Sequence, residues 1–172
     1  MKKILIILIL FLIQINYVIA DTNISFVDLD KILRTSKPGS SILKQLDKIN
    51  LQISNNFKND EKDLQNKETK MISQKNIISA EEFNTNVVKL KKEINEYNLN
   101  RKKIINEFNK LKIDSTNKFL KDINVILMKY SDEKSISLIL QKKNLIIGKT
   151  ELDITDEIIK IINTDISEFK IK

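Results

Sequence analysis

From Ile42 to Ser131 the chain reads as one long helical hairpin, with no proline or glycine to break either arm. Apolar residues first fall at Ile42, Leu46, Ile49 and Ile53, the alternating four-three step of a coiled-coil seam. Asn56, Asp60 and Asp63 then occupy the seam, while Phe57, Leu64 and Met71 continue one position over at seven-residue spacing. The stretch from Ser73 to Ser79 loses the period and reads as the tip of a hairpin. Ser79 ahead of Glu81 and Glu82 restarts the helix. The return arm is cleaner, with Phe83, Val87, Leu90, Ile94, Tyr97, Ile104, Phe108 and Leu111 in register and Arg101 as its one polar seam position. Phe119, Ile123, Ile126, Leu127 and Tyr130 complete it after a local shift of phase. A straight return arm of this length reaches about 70 Å, far longer than a domain of this mass needs. Such a hairpin has little to fold onto except itself.

The flanking segments must therefore form a compact body. Ile24-Ser25-Phe26-Val27 reads as a strand, and Asp28 as the cap of a short helix through Leu29, Ile32 and Leu33. Pro38-Gly39 reads as its end, with Ser40 or Ser41 capping the next helix. After Ser131-Asp132 the period changes. Ile136 to Leu140 is a half-alternating strand, Lys142-Lys143-Asn144 a turn, and Leu145-Ile146-Ile147 a second strand ended by Gly148. Asp153 or Thr155 caps a last helix through Ile158, Ile159, Ile161 and Ile162. The class is α+β and mostly helical. Its expected parts are a body over 21–41 and 132–165, an arm over 42–131 with its tip near 73–79, and a tail over 166–172. Three short strands make a marginal core, so the bodies are expected to associate, joining strands from several subunits into one sheet or barrel without exposed edges. A small body with a long two-helix arm is a shape for holding a partner.

Residues 1–20 stand apart. Lys2 and Lys3 precede the apolar run Ile4 to Ile13, and Val18-Ile19-Ala20 supplies small residues at a cut site, the pattern of a secretory signal peptide cleaved after Ala20. Gln14 and Asn16 interrupt the run well short of the roughly 20 apolar residues a membrane span needs. An exported chain without cysteine has no disulfide to staple it and depends on packing or association. Once Lys2 and Lys3 are set aside, 28 basic residues face 23 acidic ones, a surplus of five. That suits anionic lipid headgroups, acidic polysaccharide or acidic polypeptide. Export argues against nucleic acid.

The segment Ile24-Ser25-Phe26-Val27-Asp28-Leu29-Asp30-Lys31-Ile32-Leu33, followed by Ser36 and Gly39 before Leu46, resembles the opening of the Skp/OmpH-like periplasmic chaperones. Ser137-Leu138-Ile139-Leu140, Leu145-Ile146-Ile147 and Asp153-Ile154-Thr155-Asp156-Glu157-Ile158 are similar to that family's closing strands and last helix. The resemblance implies a homotrimer with a β-barrel body shared by all subunits and three arms around a cavity. It also implies ATP-independent holding of unfolded outer-membrane proteins in the periplasm. Ile24, Phe26, Ile136, Leu138, Leu140, Leu145 and Ile147 are the expected residues of the trimer body.

Catalysis is not expected. The chain has no histidine and no cysteine, which removes the commonest general base, the usual zinc ligands and the thiol nucleophile. The carboxylate pairs Asp28/Asp30, Asp60/Asp63, Glu81/Glu82 and Asp153/Asp156 sit at caps, first turns or exposed arm positions. Gly39 and Gly148 are isolated, so no phosphate-cradling loop exists. No metal or cofactor is expected. Apolar residues off the seam, Leu51, Val88, Leu99, Ile105 and Ile113, with Ile77 and Ile78 near the tip, are read as a non-specific lining for an unfolded client, scattered rather than gathered in a second stripe. Lys89, Lys91, Lys92, Arg101, Lys102 and Lys103 are candidate contacts for anionic lipid or acidic clients, with lipopolysaccharide implied by the resemblance. Set against this reading is a coiled-coil adaptor that presents its arms to one folded envelope partner.

Overall fold

A computed structural model of the chain describes residues 23–166 and 169–171. The expected signal peptide and its cleavage point lie outside the described residues. In chain order the elements are β1 (Ile24–Val27), α1 (Leu29–Thr35), α2 (Lys37–Ser73), α3 (Ala80–Lys134), β2 (Leu138–Gln141) and α4 (Thr155–Asp165). Single 3₁₀ turns occupy Lys142–Asn144 and Thr150–Leu152. The fold is α+β and predominantly helical.

β1 and β2 pair in parallel, from Ile24 opposite Leu138 to Val27 opposite Gln141. Parallel strands cannot be joined by a tight turn and need a crossover; here the crossover is α1 together with the whole arm. The other edge of β1 is taken by the approach to α4, where Phe26 bridges to Asp153 and the Ile154 N–H donates to the Phe26 carbonyl at 3.1 Å. β2 keeps its outer edge unpaired, yet the strand expected at Leu145–Ile147 does not form. The Lys142–Asn144 turn leads the chain away instead, and Ile146 and Ile147 stand 104% and 90% exposed. Gly148 returns against the Phe26 ring so closely that a Cβ would lie 2.8 Å from Cε1.

The caps explain the helix limits. Asp28 accepts the Lys31 N–H at 2.8 Å and starts α1. Pro38 and Gly39 do not end a helix; they lie in the first turn of α2, and Ser36, not Ser40 or Ser41, is the cap, accepting the Gly39 N–H at 3.2 Å. Proline is tolerated there because the first turn has no partner for its missing donor. Ile154, not Asp153 or Thr155, holds the cap position of α4. Asp153 still accepts the Thr155 N–H at 3.0 Å, while the Thr155 hydroxyl accepts the Asp28 N–H at 2.9 Å, tying α4 to the end of β1.

Gly39 also lets α1 and α2 meet. A Cβ there would fall inside the contact radius of the Leu33 carbonyl oxygen and 2.8 Å from Ser36 Oγ. Gly39→Ala is therefore expected to cost about 1–3 kcal/mol by overpacking. A thermal melt reads this, and an unchanged midpoint would mean the two helices can part without loss.

The core is mainly helical. Val27, Ile32, Ile42, Leu46, Phe119, Ile123, Tyr130, Ile154, Ile158, Ile162 and Phe169 form one buried cluster. The roots of α2 and α3 thus supply Ile42, Leu46, Phe119, Ile123 and Tyr130 to the body. Packing on this cluster fixes where the arm leaves the body.

Candidate functional site

Beyond the roots the hairpin is thinly packed. No α2 residue past Leu46 is buried, and on α3 Leu90 alone is buried between the start of the helix and Ser115. Ile49, Ile53, Phe57, Leu64 and Met71 are only half-covered. Polar and aromatic ties do much of the joining. Phe57 meets Tyr97 edge-on with ring centroids 6.3 Å apart, and the Arg101 guanidinium lies 5.5 Å from the centre of the Phe57 ring. That contact accounts for the one polar residue in the return seam. The Tyr97 hydroxyl donates to Glu61 at 2.7 Å, and Lys67 pairs with Glu93 at 2.6 Å. Low burial and exposed ties mark a segment of low local stability. At the tip, Ser79 accepts the Glu82 N–H at 3.2 Å to start α3.

Two phenols report on arm and body separately. Burial, together with the hydrogen bond to Glu61, pushes Tyr97 up to about 12, and burial with the hydrogen bond to Glu157 does the same for Tyr130. Folding favours the neutral phenol, so this stabilisation is complete below pH about 10 and is lost as pH rises through about 12. After removal of the expected leader these are the chain's two tyrosines. Tyrosinate absorbance is expected to appear near pH 12, with Tyr97→Phe and Tyr130→Phe each removing half of it. Titration near pH 10 would show the phenols to be free.

Leu51, Val88, Leu99 and Ile113 are exposed, Leu51 on the back of α2 and the other three on α3. Ile77 projects from the tip, Ile105 lies at the seam's margin, and Ile78 is half-buried against the turn. Val88, Leu99 and Ile113 are less scattered than their sequence positions imply. Their spacings of 11 and 14 residues are near whole numbers of turns and place all three on one face of α3, away from α2. Basic residues surround that face. Lys92 and Lys103 pair loosely with Glu96 and Glu107 at 3.8 and 3.9 Å, and Arg101 is drawn to Phe57. Among the described residues Lys89, Lys91 and Lys102 have no carboxylate within ion-pair distance. Exposed Ile72, Val125 and Met128 were not singled out by the sequence pattern.

In the body, Phe26 is buried and Ile136, Leu140 and Leu145 are half-buried, whereas Ile24, Leu138 and Ile147 are exposed. Asp60 and Asp63 line an open groove of the arm with Glu93, Glu96 and Tyr97, and Asp28, Asp153 and Asp156 gather around Lys142. Asp28 caps α1, Glu81 and Glu82 lie in the first turn of α3, Asp153 pairs with Lys142 at 2.8 Å, and Asp156 pairs with Lys31 at 2.6 Å. Among the described residues no group of His, Cys, Asp or Glu could hold a metal ion, and no helix is long and apolar enough to cross a membrane.

The body is helix-rich with one pair of parallel strands, and the loosely zipped arm exposes apolar and basic groups. The chain belongs to the OmpH-like outer membrane protein family, whose model matches residues 23–162. It is also similar to the solved structure of an OmpH-like protein from Caulobacter crescentus CB15, assigned as an outer membrane chaperone. The TM-score is 0.80 at 14% identity, over 88% of this chain and 89% of that one. At that identity the likeness carries the fold. Among curated protein sequences none matches.

Proposed function

We propose that this chain is a periplasmic holdase, exported by its leader and cleaved after Ala20. It acts as a homotrimer, without ATP or chemistry, and holds unfolded outer-membrane proteins in a cavity between its arms. The observation that carries this reading is the exposed Val88–Leu99–Ile113 face with its lysine surround, on an arm whose seam is thin. Each apolar contact contributes little, so a client is retained by many at once. The positive surround raises the rate of encounter with acidic clients. A thin seam lets the arm adapt to clients of different size.

An adaptor for one folded partner asks for a denser pattern, since a helix docked in a groove is read at i, i+3, i+4 and i+7. Here the apolar steps along α3 are about 16–21 Å, with Asn95 and Asn106 between them. Widely spaced anchors suit an irregular chain better than a packed helix. Lys89, Lys91, Lys92 and Arg101 to Lys103 supply the contact with anionic lipid or lipopolysaccharide in the same reading.

The test is light scattering after a urea-unfolded outer-membrane β-barrel is diluted into buffer with the chain from Asp21 to Lys172. Aggregation should be suppressed near one client per trimer. Val88→Ser/Leu99→Ser/Ile113→Ser should weaken suppression several-fold with helix content intact, and anionic vesicles should compete where the lysines are shared. Undiminished aggregation beside a folded protein would move the assignment to the adaptor.

A further inference from the structure

The C-terminal tail is held at the root of the arm by a contact that simple core packing does not require. Gln45 of α2 directs its side-chain amide at the tail, where Nε2 donates to the Phe169 carbonyl at 2.6 Å and Oε1 accepts the Ile171 N–H at 3.1 Å. One amide thus satisfies an acceptor and a donor two residues apart, as a neighbouring strand would. Ser41 orients that amide, its carbonyl and hydroxyl oxygens accepting from Nε2 at 3.2 and 3.1 Å. The tail's side chains alternate accordingly. Phe169 is buried in the core cluster with the Lys118 ammonium 4.8 Å from its ring centre, Lys170 is exposed, and Ile171 packs against the cluster. This is the two-residue period of an extended strand. Beside Gln45 an open pocket continues along α2, lined by Lys37, Ser40, Ser41, Lys44 and Lys48 and by no carboxylate.

We propose that the cleft between the roots of α2 and α3 is a binding site for an extended peptide carrying an aromatic residue followed two positions later by an aliphatic one. Residues 169–171 occupy it as a built-in stand-in for that ligand. The Gln45 amide reads main chain alone and is indifferent to sequence, so selection rests with the two apolar positions. Lys118 favours an aromatic ring at the first of them. An unfolded β-strand of alternating apolar residues offers this pattern repeatedly. Naming an unfolded client as the ligand rests on the holdase reading; the site itself does not. A tethered occupant acts at an effective concentration on the order of millimolar. A single free segment therefore competes poorly, while a client bearing many such segments displaces the tail.

The probe is a fluorescein-labelled octapeptide, Asp-Ile-Ser-Glu-Phe-Lys-Ile-Lys, copying residues 165–172, followed by anisotropy. Phe169→Ser/Ile171→Ser in the full mature chain frees the cleft and should bind the probe about tenfold more tightly than the unaltered chain. Adding Gln45→Ala should reverse most of that gain, and a probe with serine at both apolar positions should not bind. A folded double variant that binds no better than the unaltered chain overturns the site, as does binding indifferent to Gln45→Ala. Should the double variant unfold, amide exchange at Ile171 in the unaltered chain decides: excess probe should accelerate it, and an unchanged rate overturns the proposal. Probe binding without suppression of barrel aggregation would defeat the holdase reading and leave the site standing. Suppression without probe binding would do the reverse.

Discussion

Phe119→Ala is expected to destabilise the protein by about 3–5 kcal/mol, a large part of what holds a small body together. Phe119 is completely buried, on the α3 root, in the cluster that also contains Ile42 and Leu46 of α2 and Ile158 and Ile162 of α4. Truncation opens a cavity where three helices converge. The surrounding helices cannot collapse into it easily, because β1 and the Asp153–Thr155 corner pin them from the other side. Arm and body should melt together, since the seam past Leu46 has too little burial to keep the hairpin helical without its root. A urea titration followed by circular dichroism should therefore show one transition at a much lower midpoint. Val88→Ala, at an exposed position on the same helix, should move it by no more than about 0.5 kcal/mol. Equal midpoints for the two variants would mean that the cluster around Phe119 does not hold the body.

What the sequence disclosed and what it hid follow from the range of the interactions. The hairpin was legible because its period is local: Ser79 caps its own helix, and Leu90 recurs in register with its neighbours. The partner of β1 was not legible, because β2 reaches it across the entire arm and nothing in Ile24–Val27 specifies a parallel mate. Leu145–Ile147 has the β-branched composition of a strand, yet such propensity is realised only through packing on neighbours, and the Lys142–Asn144 turn carries the segment away from the sheet, leaving Ile146 and Ile147 exposed. Pro38-Gly39 looked like a stop, although Ser36 three residues before Gly39 was the overlooked sign of a start. On the arm, Leu51, Val88, Leu99 and Ile113 could be picked out as off-seam, but the face that the last three share on α3 emerges only when the helix is known to run unbroken. Val125 and Met128 fall where the register shifts toward α4, and phase alone could not assign them. The role of Gln45 rests on hydrogen bonds to residues at the far end of the chain and leaves no local trace.

In the proposed trimer, Ile146→Asp/Ile147→Asp should reduce the mass from that of three subunits to that of one, without unfolding the chain. The two side chains are almost wholly exposed and belong to no strand, so within one subunit they stabilise nothing. Exposed Ile24 and Leu138, opposite one another in the sheet register, extend the apolar surface of the body. Burying an isoleucine is worth about 1.5–3 kcal/mol, so two from each of three subunits would contribute roughly 9–18 kcal/mol before the costs of association. Aspartate removes that gain and places unpaired carboxylates in the interface, which disfavours assembly further. Light scattering coupled to size-exclusion chromatography reads the mass, and circular dichroism confirms that the helices persist. The double variant separates assembly from folding in a way that Phe119→Ala cannot. A folded monomer that no longer suppresses aggregation would show that a client is held between arms of different subunits, whereas one that still does so would place the holding surface on a single arm. A trimer that survives both aspartates would move the interface elsewhere on the body, and a monomeric unaltered chain would remove the shared cavity from the proposed mechanism.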